Sequence, residues 1–184
     1  MGGGIWLYKG EEWIENPGRG GKPRSVIAKL WQTKNGEIWI YCRESSSLTP
    51  ERRAGVARNW WVYKFDGFIW QEVFHLRMLS EIIELNNGEI WFGMSRWTGS
   101  KAIWELWKYY EGKWYQQEKF NGMRVTCLLE ARDGNLWVGT IKDGLWKYDG
   151  DNWYSFTLLD GLPSGRIVKL LQGCGEFLWV GTGA

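Results

Sequence analysis

Four arginines, Arg24, Arg77, Arg124 and Arg166, each stand one to three residues ahead of a recurring aliphatic residue, namely Ile27, Leu79, Val125 and Ile167. A guanidinium is a planar fork of donors that grips a carboxylate or sulfate through parallel hydrogen bonds. Four of them at one repeated position therefore read as a ring for an anion: a carboxylate, a sulfate or an acidic sugar. The competing reading is four solvated or locally paired charges, the usual state of surface arginine. A second group, Arg96, Trp97 and Lys101, falls in a long connection at residues 95–103. Trp97 lies outside every repeated aromatic position, so packing of the repeat does not explain it, and it is the tryptophan expected to meet a ligand. Catalysis finds less support. The chain has one histidine, His75, read as part of a connector, and a lone histidine without positioned partners is more often structural. No nucleophile elbow, phosphate loop or zinc-protease signature is present. Asp149 and Asp151 fall in a hairpin turn, where aspartate is favoured for backbone reasons.

The elements that must hold these residues come in four copies. Aligned on one tryptophan, the copies read NGEIWIYC (Trp39), NNGEIWFGM (Trp91), DGNLWVGT (Trp137) and GEFLWVGT (Trp179), spaced 52, 46 and 42 residues apart. The aliphatic residues named above stand twelve positions earlier in each and open an apolar run, strand a. A turn with Asn-Gly or Asp-Gly leads into strand b, which carries the aligned tryptophan, and predicts an antiparallel a–b hairpin whose turn uses positive φ angles. A third element recurs as Ile5-Trp6-Leu7-Tyr8, Trp60-Trp61-Val62-Tyr63, Leu106-Trp107-Lys108-Tyr109 and Leu145-Trp146-Lys147-Tyr148, strand c. A fourth, strand d, carries Trp13, Trp70, Trp114 or Trp153. Three positions in four copies account for 12 of the 16 tryptophans, and blade-to-blade packing is their expected role.

Periods of this length without a helical pattern predict an all-β chain: a β-propeller of four-stranded antiparallel blades. The expected organisation is one domain over residues 1–184. It has a c–d half-blade at 5–14, blades at about 25–74, 78–118 and 124–157, and an a–b half-blade at 166–182. Joining the two halves would close four blades by a 2+2 strand pairing and remove unpaired edges. The alternatives are a homodimer that shares blades in an eight-bladed ring, and a fragment of a larger propeller. In a propeller the b–c and d–a connections share one face around the channel mouth. The longest of these here are residues 43–59, rich in Ser and Arg, and residues 95–103. Gly18-Arg19-Gly20-Gly21-Lys22 lacks phosphate-loop spacing and reads as a flexible connector.

The strings Asp133-Gly134-Asn135-Leu136-Trp137-Val138-Gly139-Thr140, Gly144-Leu145-Trp146-Lys147-Tyr148-Asp149-Gly150 and Asp160-Gly161-Leu162-Pro163-Ser164 resemble the two-component regulator propeller repeat. The resemblance covers nearly the whole chain and is closest over residues 125–181. It implies a non-catalytic sensor module of the kind found in the extracytoplasmic region of bacterial hybrid sensor kinases, reading a glycan fragment or another small ligand and working in signal transduction. The alternatives are a propeller-based hydrolase or lyase and a protein–protein interaction scaffold. No cofactor or metal is implied, and Cys42, Cys127 and Cys174 lack metal-site spacing. A formal net charge of +2 gives no reason to expect nucleic acid, and 44% hydrophobic with 24% charged residues suits a folded domain. No apolar run approaches the roughly 20 residues that span a bilayer. The first residues lack the pattern of a signal peptide, so export, if it follows the resemblance, needs an upstream segment.

Overall fold

The structure, a computed structural model, describes residues 5–15, 18–20, 25–44, 60–98 and 101–183. The chain divides into two compact units, Met1–Arg77 and Met78–Ala184. In the first, β1 (Trp6–Lys9) and β2 (Glu12–Glu15) form a hairpin. A five-stranded sheet of that unit holds β3 (Arg19–Gly20), β4 (Ser25–Gln32), β5 (Ile38–Glu44), β6 (Trp60–Phe65) and β7 (Ile69–Leu76), in the order β3-β7-β6-β5-β4. In the second unit, β8 (Met78–Glu84), β9 (Ile90–Thr98), β10 (Lys101–Tyr110) and β11 (Lys113–Gln117) make one four-stranded sheet. A second sheet holds β12 (Val125–Glu130), β13 (Leu136–Thr140), β14 (Leu145–Tyr148) and β15 (Trp153–Phe156), and β16 (Ile167–Gln172) pairs with β17 (Leu178–Thr182). Each four-strand set is an antiparallel meander in sequence order, the a-b-c-d blade expected from the repeat.

Two devices recur in every copy. Strand a slips register at the same place each time, between Ile27 and Lys29, Leu79 and Glu81, Val125 and Cys127, and Ile167 and Lys169. The extra residue of this bulge is Ala28, Ser80, Thr126 or Val168, one step past the repeated aliphatic residue. Strands c and d are locked by directly opposed rings: Tyr8–Trp13 at 4.9 Å, Phe65–Trp70 at 4.8 Å, Tyr109–Trp114 at 5.0 Å and Tyr148–Trp153 at 4.8 Å. Such aromatic cross-strand pairs stabilise a ladder by roughly 0.2–1 kcal/mol each.

Pairing also corrects the alignment of strand c. Ile38 faces Phe65, Ile90 faces Tyr109 and Leu136 faces Tyr148. The first full copy is thus Val62-Tyr63-Lys64-Phe65, two residues later than the sequence pattern suggested, and Trp60 and Trp61 fall outside the repeated positions. The true register sets a lysine opposite each b-strand tryptophan: Lys64 on Trp39, Lys108 on Trp91 and Lys147 on Trp137. In two copies a glutamate completes the unit. Glu37 accepts from the Trp39 indole at 3.2 Å and from Lys64 at 3.1 Å, and Glu89 accepts from the Trp91 indole at 3.0 Å and from Lys108 at 2.7 Å.

Other expectations shift in smaller ways. The a–b turns are the three-residue loops Lys34-Asn35-Gly36, Asn86-Asn87-Gly88 and Arg132-Asp133-Gly134, with Gly36, Gly88 and Gly134 alone at positive φ and donating to Thr33, Leu85 and Ala131. Asn35, Asn87 and Asp133 precede them with negative φ, so the glycine carries the whole conformational demand. His75 lies within β7 opposite Trp61, not in a connector, because strand d runs on to Leu76. Arg19 and Gly20 form β3 beside β7, where a Cβ on Gly18 would sit 2.3 Å from the Phe65 ring; glycine is what lets the backbone approach. Residues 21–22 of that run and 45–59 of the first long connection lie outside the described residues. β1–β2 in the first unit and β16–β17 in the second are each two-stranded sheets, and no sheet is closed among the described strands.

In the second unit the sheets pack in series. Trp91, Leu106, Phe120, Val125, Leu136 and Val138 form one core, and Cys127, Leu145, Ile167 and Leu170 form the next. Glycines on strand b set the spacing: a Cβ on Gly139 would meet Cys127 Sγ at 2.5 Å and Ile167 Cγ2 at 2.7 Å. Polar links cross the same boundaries, from Thr126 Oγ1 to the Ile167 carbonyl at 2.6 Å and from the Asn86 amide to the Glu130 carboxylate at 2.8 Å.

The c–d turns carry the aspartates. Asp149 accepts from the amides of Asn152 at 2.7 Å and Asp151 at 2.9 Å and from the Tyr154 hydroxyl at 3.0 Å. These bonds, the Asn152 amide first, hold its carboxyl below the usual range, and the Ile69 and Phe68 amides do the same for Asp66. A carboxyl depressed in the folded state contributes above its unfolded pKa and loses that contribution as pH falls through the folded value. The Asp151 and Asn152 amide signals should accordingly titrate with a midpoint below the ordinary ~3.9, and Asp149→Asn should abolish that titration. A midpoint at or above the ordinary value in an NMR titration would contradict the geometry.

Candidate functional site

The b–c end of the second unit departs most from the repeat. Residues 95–103, expected as a loop, instead prolong the hairpin: β9 runs to Thr98 and β10 starts at Lys101, with Arg96 facing Ile103, Trp97 facing Ala102 and Ser95 facing Trp104. In the next copy β13 stops at Thr140 and β14 starts at Leu145. There the Thr140 hydroxyl donates to the Gly144 carbonyl at 2.8 Å and accepts from the Asp143 amide at 2.9 Å, ending the ladder in a tight turn. Met94 occupies the Thr140 position in the β9 copy. Without that hydroxyl the strands continue.

Alternation along the two strands gives the extension two faces. One carries Arg96 and Glu105. Arg96 forks onto Glu105, Nε to Oε2 at 2.6 Å and a terminal nitrogen to Oε1 at 2.9 Å, and lies 4.9 Å over the Trp107 ring. Glu105, only 4% exposed, also accepts from the Trp107 indole at 2.9 Å and from Gln116 at 3.2 Å. The hydrogen bond to Glu105 raises the Arg96 pKa further, which burial only partly offsets. Arg96 is thus spent on an internal ion pair rather than held ready for an anion.

The other face carries Trp97 and Trp104, diagonal neighbours across the ladder, a separation that long aromatic side chains span. Trp97 is 40% exposed. The Arg124 guanidinium lies 4.9 Å over the Trp104 ring, and the Gly122 amide donates to the Trp104 carbonyl at 2.7 Å, fixing the d–a connection against the base of the extension. Ser95, opposite Trp104 and fully buried, has a hydroxyl with no hydrogen-bond partner among the described residues. Trp97 and Trp104 thus share one strand face, with a guanidinium from the d–a connection over the Trp104 ring. Such a surface stacks on the C–H face of a sugar ring and pairs with a carboxylate.

The other arginines have different settings. Arg166 is exposed before β16 and lies against Gly183, whose amide donates to the Arg166 carbonyl at 2.9 Å. Arg77 follows β7, half-buried, in the first unit. Arg24 lies outside the described residues. Within the second unit the structure brings Arg124 to Trp104 and gives Arg166 a separate local setting. Trp104 was missed in the sequence, although its place outside the repeated aromatic positions was the same signal that singled out Trp97. The first unit holds a related arrangement: Trp60, at the register position of Trp104, stacks on Tyr41 at 4.4 Å with Arg43 5.8 Å over its ring.

Nothing among the described residues groups three or more His, Cys, Asp or Glu as a metal site, and no helix there is long and apolar enough to cross a membrane. Burial pushes the Cys127 thiol up, leaving it protonated at neutral pH.

A sequence model described as "Two component regulator propeller" matches residues 119–142, the stretch running from the d–a connection through β13. The fold is similar to PorZ, a surface component of the type-IX secretion system of Porphyromonas gingivalis, with TM-score 0.59 and 15% identity over 99% of this chain and 28% of that one. It is also similar to the extracellular domain of a hybrid two component system of B. thetaiotaomicron, with TM-score 0.60 and 16% identity over 97% of this chain and 23% of that one. A structure described as a gluconolactonase matches at TM-score 0.44 and 17% identity over 94% of this chain and 61% of that one. No curated protein matches the sequence. The chain spans about a quarter of the length of the first two structures, and its sheets are propeller blades.

Proposed function

We propose that this stretch of two component regulator propeller is a non-catalytic, extracytoplasmic sensor module, and that it reads an acidic glycan fragment on the prolonged β9–β10 hairpin. The observation that carries the reading is the Trp97–Trp104 face with Arg124 stacked on it. Repeat packing explains neither tryptophan, and a long, regular extension at this one b–c connection holds both on rigid strands. Trp97 and Trp104 supply the stacking surface, and Arg124 supplies the fork for a carboxylate. The similarity to a sensor ectodomain supports the same class of function and the same compartment.

Isothermal titration with a uronic-acid oligosaccharide, with its neutral counterpart as control, tests this. Trp97→Ala should weaken both ligands about tenfold, the size expected for a central aromatic contact. Arg124→Ala should remove the preference for the acidic ligand and leave the neutral one's affinity unchanged. Unchanged affinity in both variants would sink the assignment. Turnover of either oligosaccharide would favour the hydrolase or lyase reading.

A further inference from the structure

The d–a connection between β11 and β12, residues 118–124, carries two cations, each over a tryptophan of a c strand. Arg124 lies 4.9 Å over the Trp104 ring, and Lys119 Nζ lies 5.5 Å over the Trp146 ring. The same connection is fastened to both tryptophans. The Gly122 amide donates to the Trp104 carbonyl at 2.7 Å, and Phe120 meets Trp146 edge-on at 5.4 Å. Trp104 and Trp146 thus flank one connection, within the second unit.

Trp146 holds the register position that Trp107 holds one blade earlier, since Val138 faces the one and Phe92 the other. The polar groups around the two rings differ. At Trp107 the Glu105 carboxylate takes the indole N–H, Arg96 and Gln116. At Trp146 the glutamate position is Gly144, and the indole donates to the Asp143 backbone carbonyl at 3.1 Å. The Asp143 carboxylate accepts no hydrogen bond from any described residue, and its Oδ2 is shielded from water, the setting in which an unmade hydrogen bond costs most. Its backbone is nevertheless fixed. The Asp143 amide donates to the Thr140 hydroxyl at 2.9 Å, the Gly144 amide to the Gly165 carbonyl at 3.0 Å, and the Ile141 amide to the Arg124 carbonyl at 3.0 Å. Lys119 forms no ion pair with Asp143 or with any other described residue.

A carboxylate that only accepts and an ammonium that only donates, unpaired with each other, suit a ligand group that does both. A sugar hydroxyl is such a group, and a vicinal diol engages both charges at once. We propose that Asp143, Lys119 and Trp146 form a second subsite beside Arg124, which takes the hydroxyls of a neutral sugar joined to the acidic one. The proposal rests on the acidic-glycan reading of the Trp97–Trp104 face and adds the neighbouring unit of the ligand to it. Asp143 accepts from the sugar hydroxyls, Lys119 donates to them, and the Trp146 ring supplies an apolar wall. The ligand class is then a disaccharide or longer, a uronic acid linked to a neutral hexose with free vicinal hydroxyls.

Isothermal titration with glucuronic acid alone, and with a disaccharide of glucuronic acid and glucose, tests the subsite, with indole NMR locating the contacts. Asp143→Ala should weaken the disaccharide about tenfold, the size of one hydrogen bond to a charged group, and leave glucuronic acid unchanged. Asp143→Asn keeps one acceptor oxygen and should lose less. The Trp146 N–H, which reports on Asp143, should shift with the disaccharide and stay still with the acid alone. Because the Asp143 side chain makes no internal hydrogen bond, the urea midpoint of Asp143→Ala should equal that of the parent. A lowered midpoint with unchanged affinity would mark a turn residue and overturn the proposal. Unchanged affinity with Trp97 and Trp104 still shifting would overturn the subsite alone. A shift at Trp146 without one at Trp97 or Trp104 would support the subsite and count against the reading of that face, and silence at all three would overturn both.

Discussion

Trp91→Ala should lower the unfolding free energy of the second unit by about 3–5 kcal/mol, the range for truncating a large buried aromatic residue. The indole is fully buried between two blades and meets Tyr148 and Trp153. Its N–H occupies one oxygen of Glu89 while Lys108 occupies the other, with the ammonium 5.7 Å from the ring. Removal opens a cavity at the centre of a core that also holds Leu106, Phe120 and Val125, and rigid strands on either side limit collapse into it. Trp179→Ala is the internal control. That residue holds the same place in the repeat but is largely exposed, so its loss should cost about 1 kcal/mol or less. Urea midpoints of the two variants measure the contrast. Equal losses would mean that the blades do not pack through the b-strand tryptophan.

Glu105→Ala should be the next most damaging, at about 2–4 kcal/mol, because it strips a nearly buried ion pair of its acid. Four donor contacts converge on this carboxylate: two from Arg96, one from the Trp107 indole and one from Gln116. Alanine removes the carboxylate that the Arg96 guanidinium and the Trp107 indole N–H share. Glu105→Gln keeps an acceptor and should cost about half as much, since charged hydrogen bonds contribute roughly twice as much as neutral ones. Replacing both partners, Arg96→Met with Glu105→Leu, should recover most of the loss, because the desolvation cost of both charges disappears with them. Chemical denaturation of the three variants separates the cases. A double variant no more stable than Glu105→Ala would show that the pair is worth its desolvation. Ligand affinity should survive the double change, since Arg96 and Glu105 occupy the face opposite Trp97.

The repeat was legible because blade packing fixes a few large residues at fixed offsets. The b-strand tryptophan, the aliphatic residue twelve positions before it and the hairpin glycines are all demanded by contacts between sheets. The bulge in strand a was not legible, because its extra residue, Ala28, Ser80, Thr126 or Val168, has no side chain in common and marks a backbone event. The slip in strand c at Trp60-Trp61-Val62-Tyr63 has a different origin. With a period of two, a shift of two residues keeps every side chain on the same face, so aromatic pattern alone cannot choose between registers. Lys64 opposite Trp39 decides it.

At the candidate site, Trp97 was visible as an aromatic residue without a packing role, and the structure puts Trp104 beside it. Residues 95–103 read as a loop because they fall between the repeated b and c motifs. The hairpin continues through them because Met94 lacks the hydroxyl that ends the equivalent strand at Thr140. Four-fold repetition suggested an arginine ring of Arg24, Arg77, Arg124 and Arg166, and in the second unit the settings of its two members differ: Trp104 lies under Arg124 and Gly183 beside Arg166. Those neighbours come from distant parts of the sequence, and sequence spacing does not reveal them.

Nitrogen-15 NMR of the tryptophan indoles, titrated with a uronic-acid oligosaccharide, is the most direct test of a recognition face on the β9–β10 hairpin. Saturable shifts at the Trp97 and Trp104 N–H signals, with Trp91 unmoved and the response lost in Arg124→Ala, are the expected result. Shifts confined to other tryptophans, or none at saturating ligand, would contradict it.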